Sequence, residues 1–340
     1  MDQKQYSGTD AIEQEQSVNI AYERLQPLSI ALGVAFIVLL SSLLQAILLA
    51  VVKSSAPALL NEGWFTMMLS MLPMYLCAMP LSLLVFRVGT PDSPTENKRL
   101  GVPAFLGLVA ICFVLTYIGN FIGLAVNALI GIFTGEPPVN DLAQLTMNTP
   151  LWANLLFCGI AAPILEEIFY RKLVIDRLRR YGELFAVIAS GLLFGLIHGN
   201  FSQFFYAAMI GMVFGIVYLR TGKLRYTVGL HMAINLVGGV YATEMSRAVL
   251  GLTTLQAGTL AELIDRIVFQ NPIPLIMVGI YVLFAVACVV SAPIALVFLW
   301  KHIRFAPATV KLTRKQFVQV FLLNPAVWLL LGVTVLLFAV

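Results

Sequence analysis

Charge is the first thing this chain lacks. Of its 340 residues only 11% are Asp, Glu, Lys or Arg, against about 25% in a soluble domain. Hydrophobic residues make up 60%, and a water-soluble fold of this size could not bury them all. The net charge of +4 is no nucleic-acid footprint, because the basic residues sit in short stretches between apolar blocks rather than on one basic face. Cysteine is scarce as well. Cys77, Cys112, Cys158 and Cys288 all fall within apolar blocks. No two form Cys-x-x-Cys, so zinc or dithiol chemistry on cysteine is not expected, and they read as small buried hydrophobes. No cleavable leader is expected, because the first 27 residues are polar and the apolar block after them is too long for a signal core.

Several protease signatures are missing too. The chain has no His-Glu-x-x-His zinc motif. Ser190 lacks a Gly-x-Ser-Gly setting, since Ile188 stands two residues before it. No intramembrane pair of aspartates exists, and Asp176 falls in a basic stretch.

What the chain has is length of apolar run. Nine apolar segments stand out, at 28–52, 64–86, 102–133, 151–170, 184–199, 203–219, 226–243, 273–299 and 317–340. A helix needs ~20 apolar residues to cross a bilayer. The pattern therefore predicts an all-α, polytopic transmembrane bundle of about eight to nine spans, integral to the lipid bilayer. The third segment exceeds one span and must tilt or project. The organisation expected is a polar cytoplasmic tail over 1–27, N-terminal helices over 28–150, a four-helix core over 151–243, and a loop with further helices over 244–340.

The basic residues orient this map. With the N-terminus inside, the inside stretches are 1–27, 87–101, 171–183, 220–225 and 300–316, and they hold 18 of the 21 lysines and arginines. The outside stretches hold 3. Basic residues accumulate on the cytoplasmic side, so the N-terminus is expected in the cytoplasm and the C-terminus outside.

Ionisable groups inside a membrane are costly and mark function. Ala-Ala-Pro-Ile-Leu-Glu166-Glu167-Ile-Phe-Tyr-Arg171 carries the clearest ones. On a helix Glu167 and Arg171 share a face and can pair. Glu166 points about 100° away and stays available. Of three histidines, His302 follows Trp300 and Lys301 at a helix end and reads as interfacial. His198 closes the run Gly-Leu-Leu-Phe194-Gly-Leu-Ile-His198, and His231 has Asn235 on its face at i+4. A carboxylate and two histidines on separate apolar helices supply a base, a proton carrier and hydrogen-bond donors.

Glu166-Glu167-x-x-x-Arg171, Phe194-x-x-x-His198 and His231-x-x-x-Asn235, with Tyr218-Leu-Arg-Thr-Gly222 ahead of the third, resemble the three-motif signature of the CPBP family. These are the type II CAAX prenyl endopeptidases and the related Abi and bacteriocin-processing proteins. The resemblance covers roughly residues 150–240. It implies intramembrane hydrolysis of a peptide bond in a membrane-associated or lipidated protein or peptide, in a prokaryotic plasma membrane. Carried onto this chain, Glu166 with His198 activates water, His231 and Asn235 stabilise the oxyanion, and Glu167 with Arg171 forms a supporting ion pair. Both metal-dependent and metal-free mechanisms are argued for the family. No cofactor is the expectation here, because using Glu166, His198 and His231 as Zn²⁺ ligands would leave no base: Glu167 is committed to Arg171. Zn²⁺ on those three residues is the alternative. A non-proteolytic family member acting as scaffold, immunity protein or regulator is the rival reading. A proton-coupled transporter fits less well, lacking Gly/Pro-interrupted helices in corresponding halves.

One conflict is visible at this level. Glu166 stands five residues before the basic stretch, whereas His198 lies fourteen beyond Leu184, about 20 Å along a helix. A helix 184–199 that begins outside the bilayer, with a buried wet turn at 199–203, would bring the two together.

Overall fold

The structure, a computed structural model, describes residues 18–88, 91–93, 97–136, 138, 141–253, 259, 262 and 265–339. Most of the expected N-terminal tail, 1–17, lies outside the described residues. Among them the fold is helical without strands. The main helices are α1 (Ile20–Ser55), α2 (Gly63–Arg87), α3 (Val102–Thr134), α4 (Leu151–Tyr181), α5 (Glu183–Leu196), α6 (Phe201–Thr221), α7 (224–253), α8 (Ile273–Trp300), and the bent pair α9 (Arg314–Leu322) and α10 (Pro325–Phe338).

Each apolar segment is helical over most of its described residues, the last of them as the two helices α9 and α10. Six helices are long and apolar enough to cross a membrane, or seven if the pair bent by 54° counts as one span. The segment at 184–199 forms only the 14-residue α5, and that at 226–243 lies within α7; neither is among the six.

The two ends of the bundle gather the loops in alternation. At one end Arg180 pairs with Glu23 at 3.0 Å, Arg220 pairs with Glu183, and Ala306 donates its backbone N–H to Glu183 at 2.9 Å. Lys172 reaches Ser93 there at 2.8 Å. All five basic-rich stretches thus meet at one end. At the other end Thr149 donates to the Gly63 carbonyl at 3.1 Å, and Arg247 donates to the carbonyls of Met147, Thr146 and Thr149.

Two boundaries correct the reading of hydropathy. α1 starts before residue 28 because Asn19 caps it, its side chain accepting the Tyr22 N–H at 3.1 Å, and because Glu23 is buried on Arg180 and Tyr181. The stretch 171–183 is not a loop: α4 continues to Tyr181, and Gly182 breaks the chain with φ 112°. The charges tolerate this because they are paired. Asp176 is fully buried and accepts from Tyr218 at 2.9 Å and Ser93 at 2.7 Å, with Lys172 at 3.1 Å. Glu166 is therefore fifteen residues from the end of α4, and His198 is fifteen from the start of α5. The two depths agree at about 22 Å, and the conflict disappears without moving α5 out of the bundle.

Close helix approach does the rest of the positioning. A Cβ at Gly119 of α3 would strike the backbone of Tyr206 on α6, and one at Gly123 would strike the Phe201 carbonyl. One turn on, Asn127 donates to Ser202 at 2.8 Å. Small residues let helices meet backbone to backbone in an apolar medium.

Candidate active site

The polar cluster starts from a proline. Pro163 in α4 has no N–H, and the preceding turn is wide: the Ala162 N–H reaches back five residues to Phe157. The Cys158 carbonyl thereby loses both backbone donors a helix could offer it. Asn235 of α7 supplies the replacement, donating its amide to Cys158 at 2.9 Å. A polar side chain re-satisfying a carbonyl freed by proline is a membrane-helix device. It locks α7 against α4 beside the two glutamates, and it commits one amide hydrogen of Asn235 to the backbone.

Glu167 and Arg171 make the expected pair. Arg171 Nε donates to Glu167 Oε2 at 2.8 Å, and a terminal nitrogen reaches Oε1 at 3.3 Å. Both residues are 0% exposed. The guanidinium also donates to Ser190 of α5 at 2.8 Å and lies near the rings of Tyr170, Phe194 and Phe214. Ser190 in turn donates to the Tyr170 carbonyl at 3.0 Å.

Glu167 also has a second bond that its spacing to Arg171 did not reveal. His231 Nδ1 lies 3.1 Å from Glu167 Oε1, while its Nε2 faces Glu166 Oε2 at 3.7 Å. A carboxylate can only accept, so Nδ1 carries the hydrogen and Nε2 is turned to the Glu166 side. His198 has the same polarity. Its Nδ1 donates to the Phe194 carbonyl at 2.8 Å, so Nε2 is the ring nitrogen left outside that bond. The Phe194 ring lies edge-on to both imidazoles, with centroids 5.2 Å from His198 and 5.4 Å from His231. The turn carrying His198 is made by Gly199 at φ 65° and by Asn200, which caps α6 and donates to the His198 carbonyl at 2.8 Å.

Glu166 is buried but not sealed, with 9% exposure. Its Oε1 accepts from the Tyr75 hydroxyl at 2.5 Å. Tyr75 comes from α2, outside the expected four-helix core, and the motif search missed it. Its sequence signal is a hydroxyl inside an apolar segment bracketed by Pro73 and Pro80. Here too the helix widens, with the Met79 N–H reaching back five residues to Met74. Such wide turns recur at functional sites.

The structure thus brings Glu166, Glu167, Arg171 and His231 into direct contact, sets His198 across one aromatic ring, and places Asn235 one turn beyond His231. His302 is exposed at the far end of α8 and takes no part. Among the described residues no three His, Cys, Asp or Glu side chains are grouped to hold a metal ion.

Comparison with known proteins bears on the segment that carries most of this cluster. Residues 148–237 match the family described as type II CAAX prenyl endopeptidase Rce1-like. The "Putative membrane peptidase YdiL" of Bacillus subtilis (strain 168) is 26% identical over 148 residues, 42% of this chain and 60% of YdiL. The "UPF0177 protein YbdJ" of Lactococcus lactis subsp. lactis (strain IL1403) is 30% identical over 98 residues, 28% of this chain and 42% of YbdJ. The chain thus spans less than two thirds of either relative. No solved structure matches. The matched residues 148–237 carry the whole polar cluster except Tyr75, and over that segment the chain is similar to the Rce1-like type II CAAX prenyl endopeptidase family.

Proposed function

We propose that this chain is an intramembrane endopeptidase that hydrolyses a peptide bond of a membrane-associated or lipidated protein or peptide. The observation that carries the reading is His231 held between two carboxylates, with Nδ1 fixed by Glu167 and Nε2 facing Glu166 across 3.7 Å. That gap is too long for a direct hydrogen bond and suits a bridging water.

In this reading Glu166 Oε2 takes a proton from the water as its oxygen bonds to the scissile carbonyl carbon. The carbonyl electron pair moves onto oxygen. His231, doubly protonated and backed by Glu167, donates from Nε2 to that oxyanion, and the second amide hydrogen of Asn235 does the same. Two carboxylates then face two cations, Arg171 and His231, so the cluster is neutral before attack. Collapse re-forms the carbonyl and breaks the C–N bond, and Glu166 returns its proton to the leaving nitrogen. His198 Nε2 orients the water.

The test uses the purified chain in liposomes with three probes: an internally quenched farnesylated CAAX peptide, its unprenylated counterpart, and a set of single-span peptides. Products are read by mass spectrometry. Cleavage by the wild type and not by Glu166→Gln supports the reading. Equal products from both, or none from either, would leave the non-proteolytic scaffold or immunity reading. No step above needs a metal, so activity is expected to survive prolonged chelation. Loss on chelation with recovery on Zn²⁺ alone would make Glu166, His198 and His231 ligands.

We also propose that the basic end of the bundle is cytoplasmic, in a prokaryotic plasma membrane, on the strength of the 18-to-3 asymmetry. Single cysteines at 180 and 310, in a chain freed of its own cysteines, should resist a membrane-impermeant thiol reagent in intact cells. A cysteine at 62 should react. The reverse labelling would invert the orientation.

A further inference from the structure

The geometry points to Tyr75 as a positioning residue for Glu166, supplied to the active site by a helix outside the family-matched segment. This rests on the proteolytic reading. Tyr75 lies 91 residues from Glu166 in sequence and outside residues 148–237. Its ring is buried at 6% exposure, and its hydroxyl donates to Glu166 Oε1 at 2.5 Å. A carboxyl group rotates freely about its last bond, and its two oxygens are chemically equal until something distinguishes them. Here the phenol occupies Oε1. Oε2 is left as the oxygen facing His231 Nε2 at 3.7 Å. The bond therefore fixes the rotation and selects the oxygen that takes the proton.

The local backbone is built for this contact. Pro80 offers no N–H and the Met79 N–H goes to Met74, so α2 widens over Pro73–Ala78 and Tyr75 sits on the wide turn. Other polar groups lie near Glu166, His198, Tyr170 and Tyr206 among them, but among the described residues the Tyr75 hydroxyl is the donor hydrogen-bonded to Oε1.

Tyr75→Phe removes only the hydroxyl and keeps the packed ring. A hydrogen bond to a charged group is strong enough that its loss should lower kcat on the order of tenfold to a hundredfold. KM should stay unchanged, because the hydroxyl is spent on the base and not on substrate. Melting temperature in detergent reports separately on folding. A substrate-free readout accompanies this: the infrared carboxylate band that vanishes in Glu166→Gln should shift in frequency in Tyr75→Phe. It should stay in place in Tyr241→Phe, whose hydroxyl serves the Met277 carbonyl instead. If the Phe variant does not fold, 3-fluorotyrosine at position 75 keeps the test open, since a more acidic phenol donates more strongly and should shift the band the opposite way. An unmoved band with unchanged kcat, in a chain whose Glu166→Gln variant is inactive, overturns this inference alone. A fully active Glu166→Gln overturns the proteolytic reading, and this inference with it.

Discussion

Glu166→Gln should remove cleavage almost completely while leaving the folded protein in the membrane. The substitution keeps size and shape. The new amide oxygen can still accept from Tyr75, so the cluster loses a base and keeps that contact. A positioned general acid–base group contributes about 10²–10⁴-fold, and Glu166 serves twice in the proposed cycle, taking the proton of water and returning it to the leaving nitrogen. The loss should therefore lie toward the upper end of that range. His198→Ala and His231→Ala should each fall nearly as far. Combining either with Glu166→Gln should add little, because residues acting as one unit give non-additive losses. The measurement is single-turnover cleavage in liposomes beside thermal melting in detergent. Full activity in any one of the three variants would remove that residue from the mechanism.

Much of this site is legible in the sequence, and the parts that are not share a cause. The Glu167–Arg171 pair follows from spacing alone, since i,i+4 residues share a helix face, and the structure places it as expected. The three motifs lie on apolar helices that hydropathy finds without help. Hydropathy misjudged α4, because it ended the helix at Arg171, the first cation. That cation is buried on Glu167 and Ser190, and the helix runs ten residues further. Pairing of charges across helices is invisible to a window that scores one residue at a time. The same blindness hid Tyr75, which meets Glu166 only after α2 folds against α4. It hid the second bond of Glu167, because His231 is 64 residues away. Asn235 shows a subtler case. Its position beside His231 suggests an oxyanion donor, and yet its first amide hydrogen answers a vacancy that Pro163 leaves in another helix. Reading that from sequence would need the helix partner in advance.

Arg171→Ala should be the most destabilising single change at the site. The guanidinium is fully buried, and its three hydrogen bonds reach Glu167 twice and Ser190 once. Removing it leaves the buried Glu167 carboxylate with His231 Nδ1 as its one remaining partner among the described residues. Breaking one side of a buried pair costs ~3–5 kcal/mol for that reason, and the loss of packing against Tyr170, Phe194 and Phe214 adds to it. Arg171→Lys should recover only part, because a single ammonium cannot present the planar fork that spans both Glu167 oxygens and Ser190 at once. The double variant Glu167→Gln with Arg171→Met separates stability from chemistry. Replacing a buried ion pair by groups that need no counter-charge is often close to neutral for folding, so most of the melting temperature should return. Activity should not, because His231 would then hold its Nδ1 hydrogen toward an uncharged amide and lose the support for the imidazolium that faces the oxyanion. Thermal melting in detergent and cleavage in liposomes, run on all three variants, decide the point. An unchanged melting temperature in Arg171→Ala would mean that Glu167 is neutral or solvated. Recovered activity in the double variant would mean that His231 needs no carboxylate behind it.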